Sequence, residues 1–259
     1  MSQRLERLWR QCGTGISFTL FGLGGLVMGL FVFPAVNLLF RDTTRRARIA
    51  QRIVHFTWKM FLRIVVAMRV LDFDTDGAAF LRGETGTLVI ANHPSLLDIV
   101  LIMSLMENTQ CVVKAAAWKN PFMRGAIKAT NYIPNLGDPQ QVIDDCVSAL
   151  KSGNNLVIFP EGSRTVPGQK LRLQRGFANI AIRAGAPIRI VTVSCAPPML
   201  RKGEKWYQCP ARRPHYWVRV CDLLNTESFA RSEIPSRAAR SLTAHVTRRF
   251  EELTANGAA

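Results

Sequence analysis

The chain predicts an α/β domain, a mixed and largely buried sheet flanked by helices, preceded by an N-terminal membrane-associated helical segment. Three observations predict it. Short uncharged runs such as Leu88-Val89-Ile90-Ala91 and Leu156-Val157-Ile158-Phe159 alternate with stretches of helical spacing. Two of these runs end in compact loops that carry His, Asp, Glu and Arg. Ahead of them, Ile16 to Phe40 is 25 residues without a charge, long enough to cross a hydrocarbon core as a helix.

In that first segment Gly22, Gly24, Gly25, Gly29 and Pro34 loosen the helix, so a straight span and a kinked or re-entrant segment both fit. An uncleaved anchor is favoured over a signal peptide, whose apolar region is shorter, and over a buried core helix. Basic residues flank it on both sides, with Arg4, Arg7 and Arg10 before and the denser Arg41, Arg45, Arg46 and Arg48 after. If the segment spans, the denser charge after it puts the following domain on the cytoplasmic side of an inner membrane. From Ala47 to Leu71, Arg52, Lys59, Arg63 and Arg69 interrupt apolar residues that include Trp58 and Phe61. Such a helix either lies in the headgroup layer with its cations snorkelling outward, or packs on the globular domain with its cations in water. Asp72 to Glu84, with Gly77 and Gly83, reads as a short strand or turn region and separates residues 1–71 from a globular domain of residues 72–259.

Downstream the alternation continues. Cys111-Val112-Val113 predicts a strand ending at Lys114, Pro121 to Ala129 a short helix, and the region of Ile133 a strand or turn. Pro139 to Lys151 places Val142, Ile143, Cys146, Val147 and Leu150 at helical spacing and closes at Ser152-Gly153. Gln174 to Ala184 is expected to be helical, Ile188 to Ser194 and Tyr216 to Cys221 to be strands, and Ser236 to Leu253 an amphipathic terminal helix.

The loop after the first buried run reads Asn92-His93-Pro94-Ser95-Leu96-Leu97-Asp98. Pro94 pushes His93 toward extended geometry, so the strand should end there and a helix should begin with Pro94 at or near its first position. An imidazole at the lip of the sheet can then meet a carboxylate in the following helix. The carboxylate would hold one ring nitrogen and fix the tautomer, leaving the other nitrogen to take a proton. The loop Phe159 to Thr165, FPEGSRT, follows its own strand in the same manner, and both should open at strand carboxyl ends, where α/β sheets place ligands. Glu161 and Arg164 would project from a turn shaped by Pro160 and Gly162, and a guanidinium suits bidentate grip on a phosphate. A lone His beside a Pro, or a lone Pro-Glu-Gly turn, is ordinarily structural; the combination behind two buried strands points to a site.

Composition narrows the field. At 259 residues with 48% hydrophobic content, one large domain with an appendage is expected. Thirty-four Lys and Arg against eighteen Asp and Glu give a net charge of +16, which suits nucleic acid, anionic lipid or a phosphorylated substrate. No nucleic-acid motif accompanies it, and no nucleic-acid partner is expected. The six cysteines lack CxxC spacing and lie mostly in apolar runs, as buried thiols of a reduced compartment do. His55, His215 and His245 stand without ligand-spaced partners, so they read as structural or exposed and no metal site is expected.

Asn92 to Asp98 resembles the first motif (NHxxxxD) of the glycerolipid acyltransferase superfamily, which includes 1-acylglycerol-3-phosphate O-acyltransferases, and Phe159 to Thr165 resembles its third (FPEGxR). The resemblance covers the chain from about residue 70 to 225 and implies a glycerol-3-phosphate acyltransferase-like fold. It implies that His93 is the general base on an acceptor hydroxyl, that Asp98 orients it, and that Glu161, Gly162, Ser163 and Arg164 bind the acceptor phosphate. Lys114 stands where relatives often keep a basic residue and joins the substrate-binding set. The reaction implied moves an acyl chain from acyl-CoA or acyl carrier protein to a lysophospholipid-type acceptor at a membrane. It needs no cofactor beyond the thioester co-substrate. The chain departs from the family at the second motif, where NYIPNLG supplies Asn131 and Gly137, and at the fourth, where Ile190 stands in place of a Pro; both departures bear on the acceptor. The stretch from Cys195 to Val220 is similar to family members associated with aryl polyene lipid synthesis.

Three other readings compete: a thioesterase in which His93 activates water, a membrane-tethered polyanion-binding protein, and a scaffold in which His93 and Asp98 merely finish a strand.

Overall fold

Seven short runs become strands: β1 (Asp72–Asp76), β2 (Leu88–Ala91), β3 (Thr109–Lys114), β4 (Ile133–Asn135), β5 (Asn155–Ile158), β6 (Ile188–Ala196) and β7 (His215–Leu224); β2 is buried on both faces, whereas β1 is largely exposed and β7 alternates buried with exposed residues. The computed structural model describes residues 3–166, 171–230 and 234–255. The strands form one sheet in the order β1-β7-β6-β2-β5-β3-β4, with every pairing parallel except β6 with β7. The two loop-bearing strands are neighbours, with Leu88 opposite Leu156, Val89 opposite Val157 and Ile90 opposite Ile158. Being parallel, they release both loops at the same end of the sheet.

Strand alternation sorts the core into two layers. Val89 and Ala91 face a cluster with Leu62, Val65, Leu101 and Val218, while Leu88 and Ile90 face Leu156, Phe177, Leu242 and Phe250. The first layer is covered by α3 (Thr43–Ala67) and α4 (Asp98–Met103), the second by α7 (Pro139–Lys151), α8 (Gly176–Ala184) and α10 (Pro235–Ala255). Helices α6 (Pro121–Ala129) and α7 start at prolines and are capped by Asn120 and Asp138, whose side chains accept from Phe122 N and Gln140 N. Two short helices, α5 (Ala115–Lys119) and α9 (Glu227–Ala230), carry too few periodic residues to be foreseen.

The apolar segment is helical up to Leu39, as α1 (Gln3–Val27) and α2 (Phe33–Leu39) joined by a π-helical turn at Met28–Val32. Pro34 breaks the regular ladder, and the Phe33 N–H reaches back to Met28 O. The helix runs along the domain. Trp9 Nε1 donates to Met68 O at 2.7 Å, the Arg10 guanidinium donates to Ala211 O, and Phe21 stacks on Trp58 with centroids 5.4 Å apart. Gly29 lies directly on Gly125 of α6, and a side chain at Gly25 would run into the carbonyl oxygen of Phe122. What stays exposed is an apolar outer face with Leu20, Leu23, Leu30 and Phe31. In α3 it is Phe56, Met60 and Ile64 that point outward, while Trp58 and Phe61 turn in toward Phe21.

Several sequence expectations change, and β2 ends at Ala91, two residues short of His93. Helix α4 begins at Asp98 rather than near Pro94, because the Asp98 carboxylate turns back onto Ser95 N while Leu97 N donates to Ser95 Oγ. Cys12 is exposed rather than buried, although Cys111 and Cys146 are buried and their thiols are pushed up to about 12, mainly by loss of hydration.

Candidate active site

At the shared end of β2 and β5 the two loops lock together. His93 Nδ1 and Asp98 Oδ2 are 2.8 Å apart, and Ser95 N donates to the same oxygen at 2.7 Å. Asp98 is fully buried and its Oδ1 has no donor among the described residues. Burial therefore raises its carboxyl above the ordinary range; the hydrogen bond and charge of His93 oppose that shift. The carboxylate dictates the ring: Nδ1 must carry a proton to reach it, so Nε2 is left as the lone-pair nitrogen.

The second loop supplies the frame around this ring. Phe159 stacks on the imidazole, with centroids 4.1 Å apart and planes 19° from parallel. The main-chain N–H of His93 donates to Glu161 Oε1 at 3.0 Å and to Thr165 Oγ1 at 3.2 Å. Thr165 N donates to His93 O at 2.7 Å, and the Thr165 hydroxyl donates to Glu161 Oε1 at 2.7 Å. Gly162 takes φ +70°, closing the turn in which its N–H donates to Phe159 O.

The sequence-predicted residues thus divide. His93, Asp98 and Glu161 meet at one point, but Glu161 holds the His93 backbone, where an acceptor-phosphate role was expected. Arg164 Nη1 is engaged by the carbonyls of Leu200 and Arg201 at 3.0 and 2.9 Å, while its other nitrogens have no partner among the described residues. Ser163 borders it, with Lys202 Nζ 3.4 Å from its hydroxyl. Lys114 ends β3, two strands from β2, exposed and free of ion pairs among the described residues. Asn131 is exposed with φ +55°, Gly137 has φ +81°, and Ile190 is buried in the middle of β6.

Several residues had no legible role beforehand. Phe159 and Thr165 stood inside a motif with nothing to mark their partners. Tyr216, in the interior of β7, carries its hydroxyl to 3.0 Å from Ser95 Oγ and so braces the loop that aims Asp98. Leu200, at φ +57°, turns its carbonyl to receive both Leu96 N and Arg164 Nη1. His215 does have a carboxylate neighbour, Asp74 Oδ2 at 2.9 Å, but the pair is misaligned for a hydrogen bond and Asp74 is 75% exposed. In water such a carboxylate cannot fix a ring as a buried one does.

Comparison with known proteins relates the chain to acyltransferases. A family model described as Acyltransferase matches residues 73–196. A chloroplastic 1-acyl-sn-glycerol-3-phosphate acyltransferase of Arabidopsis thaliana is 26% identical over 79% of this chain and 56% of its own length. One from Brassica napus is 26% identical over 47% of this chain and 37% of its own. The chain thus spans about half the length of the curated relatives it matches. The crystal structure of the 1-acyl-sn-glycerophosphate acyltransferase of Thermotoga maritima superposes with a TM-score of 0.72 at 22% identity, covering 98% of both chains, and so shares the fold.

Proposed function

We propose that this chain belongs to the glycerolipid acyltransferase superfamily and that it transfers an acyl chain from a thioester on CoA or acyl carrier protein to the hydroxyl of a lysophospholipid-type acceptor such as 1-acyl-sn-glycerol-3-phosphate. The observation that carries this reading is the His93–Asp98 contact at 2.8 Å, held from behind by the Glu161 carboxylate.

A thioester is already activated, so the remaining barrier is delivery of a deprotonated hydroxyl to its carbonyl. His93 Nε2 takes the hydroxyl proton as the new C–O bond forms, and Asp98 stabilises the imidazolium. The intermediate then collapses, the C–S bond breaks, and the departing thiolate takes the proton back from His93. No covalent enzyme intermediate is required. The nitrogens of Arg164 that the Leu200 and Arg201 carbonyls leave free, with Lys202 beside Ser163, are suited to the acceptor phosphate.

The same reading places the site at a membrane surface. The window of highest hydropathy in Arg4–Leu39 is only 17% buried, and exposed apolar side chains also stand on α3, at Phe56, Met60 and Ile64, and at Phe122 and Trp206. A helix packed along its own domain with apolar side chains left outward is suited to lying in one leaflet. From there the acceptor would reach the dyad without leaving the lipid.

The test is mass spectrometry of lipids formed by the purified protein from acyl-CoA or acyl carrier protein donors and a panel of lysophospholipids. Acylated lipid should form with wild type and be absent with His93→Ala. Free fatty acid formed at the same rate with and without acceptor would instead assign a thioesterase.

A further inference from the structure

A second recess lies apart from the dyad, at the outer edge of β3. Strand β4 pairs with Val112, Val113 and Lys114, which leaves the edge of Thr109 to Cys111 opposite β5 without a strand neighbour among the described residues. The recess there measures about 470 Å³. Its walls include Thr43, Thr44 and Arg48 from the start of α3, Lys128 from α6 and Asp145 from α7, and Gln110 of β3 lines it as well. Register puts Gln110 level with Leu156 and Leu88, five residues before His93. At about 4.8 Å between strands and about 3.3 Å per residue, it stands about 10 Å across and about 16 Å along the sheet from His93.

Two independent features point to an anion. The main-chain N–H groups of Thr43 and Thr44 open a 25-residue helix and have no partner among the described residues, because the Asp42 carboxylate is engaged by Arg45 N. Gln110 is only 6% exposed, yet its side-chain amide makes no hydrogen bond among the described residues. Its amide atoms are not closed off from solvent but open into the recess, where a bound ligand can take the place of water on them. Arg48 and Lys128 add positive charge and are free of ion pairs among the described residues. Asp145 opposes them, with Gln141 donating to it at 2.8 Å.

The chain enters α3 from Leu38 and Leu39, which are 85% and 74% exposed, through the cationic Arg41, Arg45 and Arg46. Apolar side chains beside a cluster of arginines are the signature of a segment seated at an anionic bilayer surface.

We propose that this recess binds the phosphate of an anionic phospholipid headgroup, at a site separate from the one that turns over substrate. The phosphate would meet Thr43 and Thr44 N–H, with Arg48 and Lys128 beside it and the Gln110 amide on its ester oxygens. The lipid source rests on the membrane-docked reading above; the anion site itself does not.

The test uses the full chain in uncharged detergent, with dihexanoyl phosphatidylglycerol, dihexanoyl phosphatidylcholine and inorganic phosphate as separate probes. Hydrogen exchange over residues 41–48 and 128–134 is the readout. Phosphatidylglycerol should protect both segments, and phosphatidylcholine should do so far less. Replacing Arg48→Gln together with Lys128→Gln should weaken binding about tenfold or more, and Gln110→Met severalfold. His93→Ala and Arg164→Gln chains should keep this protection, so the result stands whether or not acyl transfer is observed. Equal protection by inorganic phosphate supports the anion site and assigns it to a soluble phosphate. Absence of protection by every probe, or protection unchanged in the Arg48 and Lys128 double variant, overturns the proposal.

Discussion

The carboxylate of Glu161 accepts the main-chain N–H of His93 at 3.0 Å, so a residue from one strand-end loop holds the backbone of the other. A carboxylate in that position would repel an acceptor phosphate, and its two bonds to His93 N and the Thr165 hydroxyl explain its presence without one.

Glu161→Gln keeps an acceptor oxygen for both donors and is expected to retain most of the stability and a measurable part of the turnover. Glu161→Ala leaves the His93 N–H with only its longer bond to Thr165 Oγ1 and removes the acceptor of the Thr165 hydroxyl, at a cost of about 0.5–1.5 kcal/mol for each bond lost. Thermal unfolding with separate determination of kcat and KM checks this. The fall should be in kcat, whereas a rise in KM for the acceptor alone would restore the phosphate-binding role.

Asp98→Asn should separate stability from activity. Because burial raises the Asp98 carboxyl, the folded state holds its proton more tightly than the unfolded chain does. That group's contribution to stability is present below the ordinary carboxylate pKa and declines as pH rises through the raised value, so the charged form is a cost near neutrality. The asparagine variant is expected to be at least as stable as wild type near pH 7, with its relative advantage vanishing in acid. Its amide oxygen can still accept from Nδ1–H but carries no charge to stabilise the imidazolium, so turnover should fall by about 10²–10⁴, the usual range for impaired general-base catalysis. Unfolding curves at several pH values alongside initial rates provide the comparison.

Tyr216→Phe removes the hydroxyl that meets Ser95 Oγ at 3.0 Å and donates to Met199 O at 3.4 Å. The expected loss is about 0.5–1.5 kcal/mol of stability for each hydrogen bond removed. If Tyr216 also aims Asp98 through the Ser95 loop, the pH profile of kcat should shift as well. An unchanged profile with the stability loss alone would make Tyr216 a packing residue.

Gly25→Leu drives a side chain into the Phe122 carbonyl, where α1 and α6 meet backbone to backbone. Overpacking of this kind costs about 1–3 kcal/mol. Residues 3–39 should exchange hydrogen faster and be cut sooner by protease, while the dyad geometry persists. Equal protection in the variant would mean that the helix is held elsewhere along its length.

Much of the fold was legible because its determinants are local. Pro121 to Ala129 and Pro139 to Lys151 form helices with the foreseen bounds, since proline starts, Asn and Asp caps and apolar spacing all lie within a few residues of one another. The start of α4 was misplaced because Asp98 answers to Ser95 N and His93 Nδ1 rather than to helix propensity. The inward turn of Trp58 was invisible for a similar reason: its partner, Phe21, belongs to another helix.

By itself, then, the sequence determined the alternation of strands and helices, the two loops at strand ends and the apolar N-terminal stretch, all written in periodicity and turn chemistry over short spans. Only the tertiary structure decided that β2 and β5 lie side by side and parallel, which brings Phe159, Glu161 and Thr165 around His93. Strand order is chosen by how all seven strands and both helical layers bury their apolar faces together, and no segment of the chain carries that information alone.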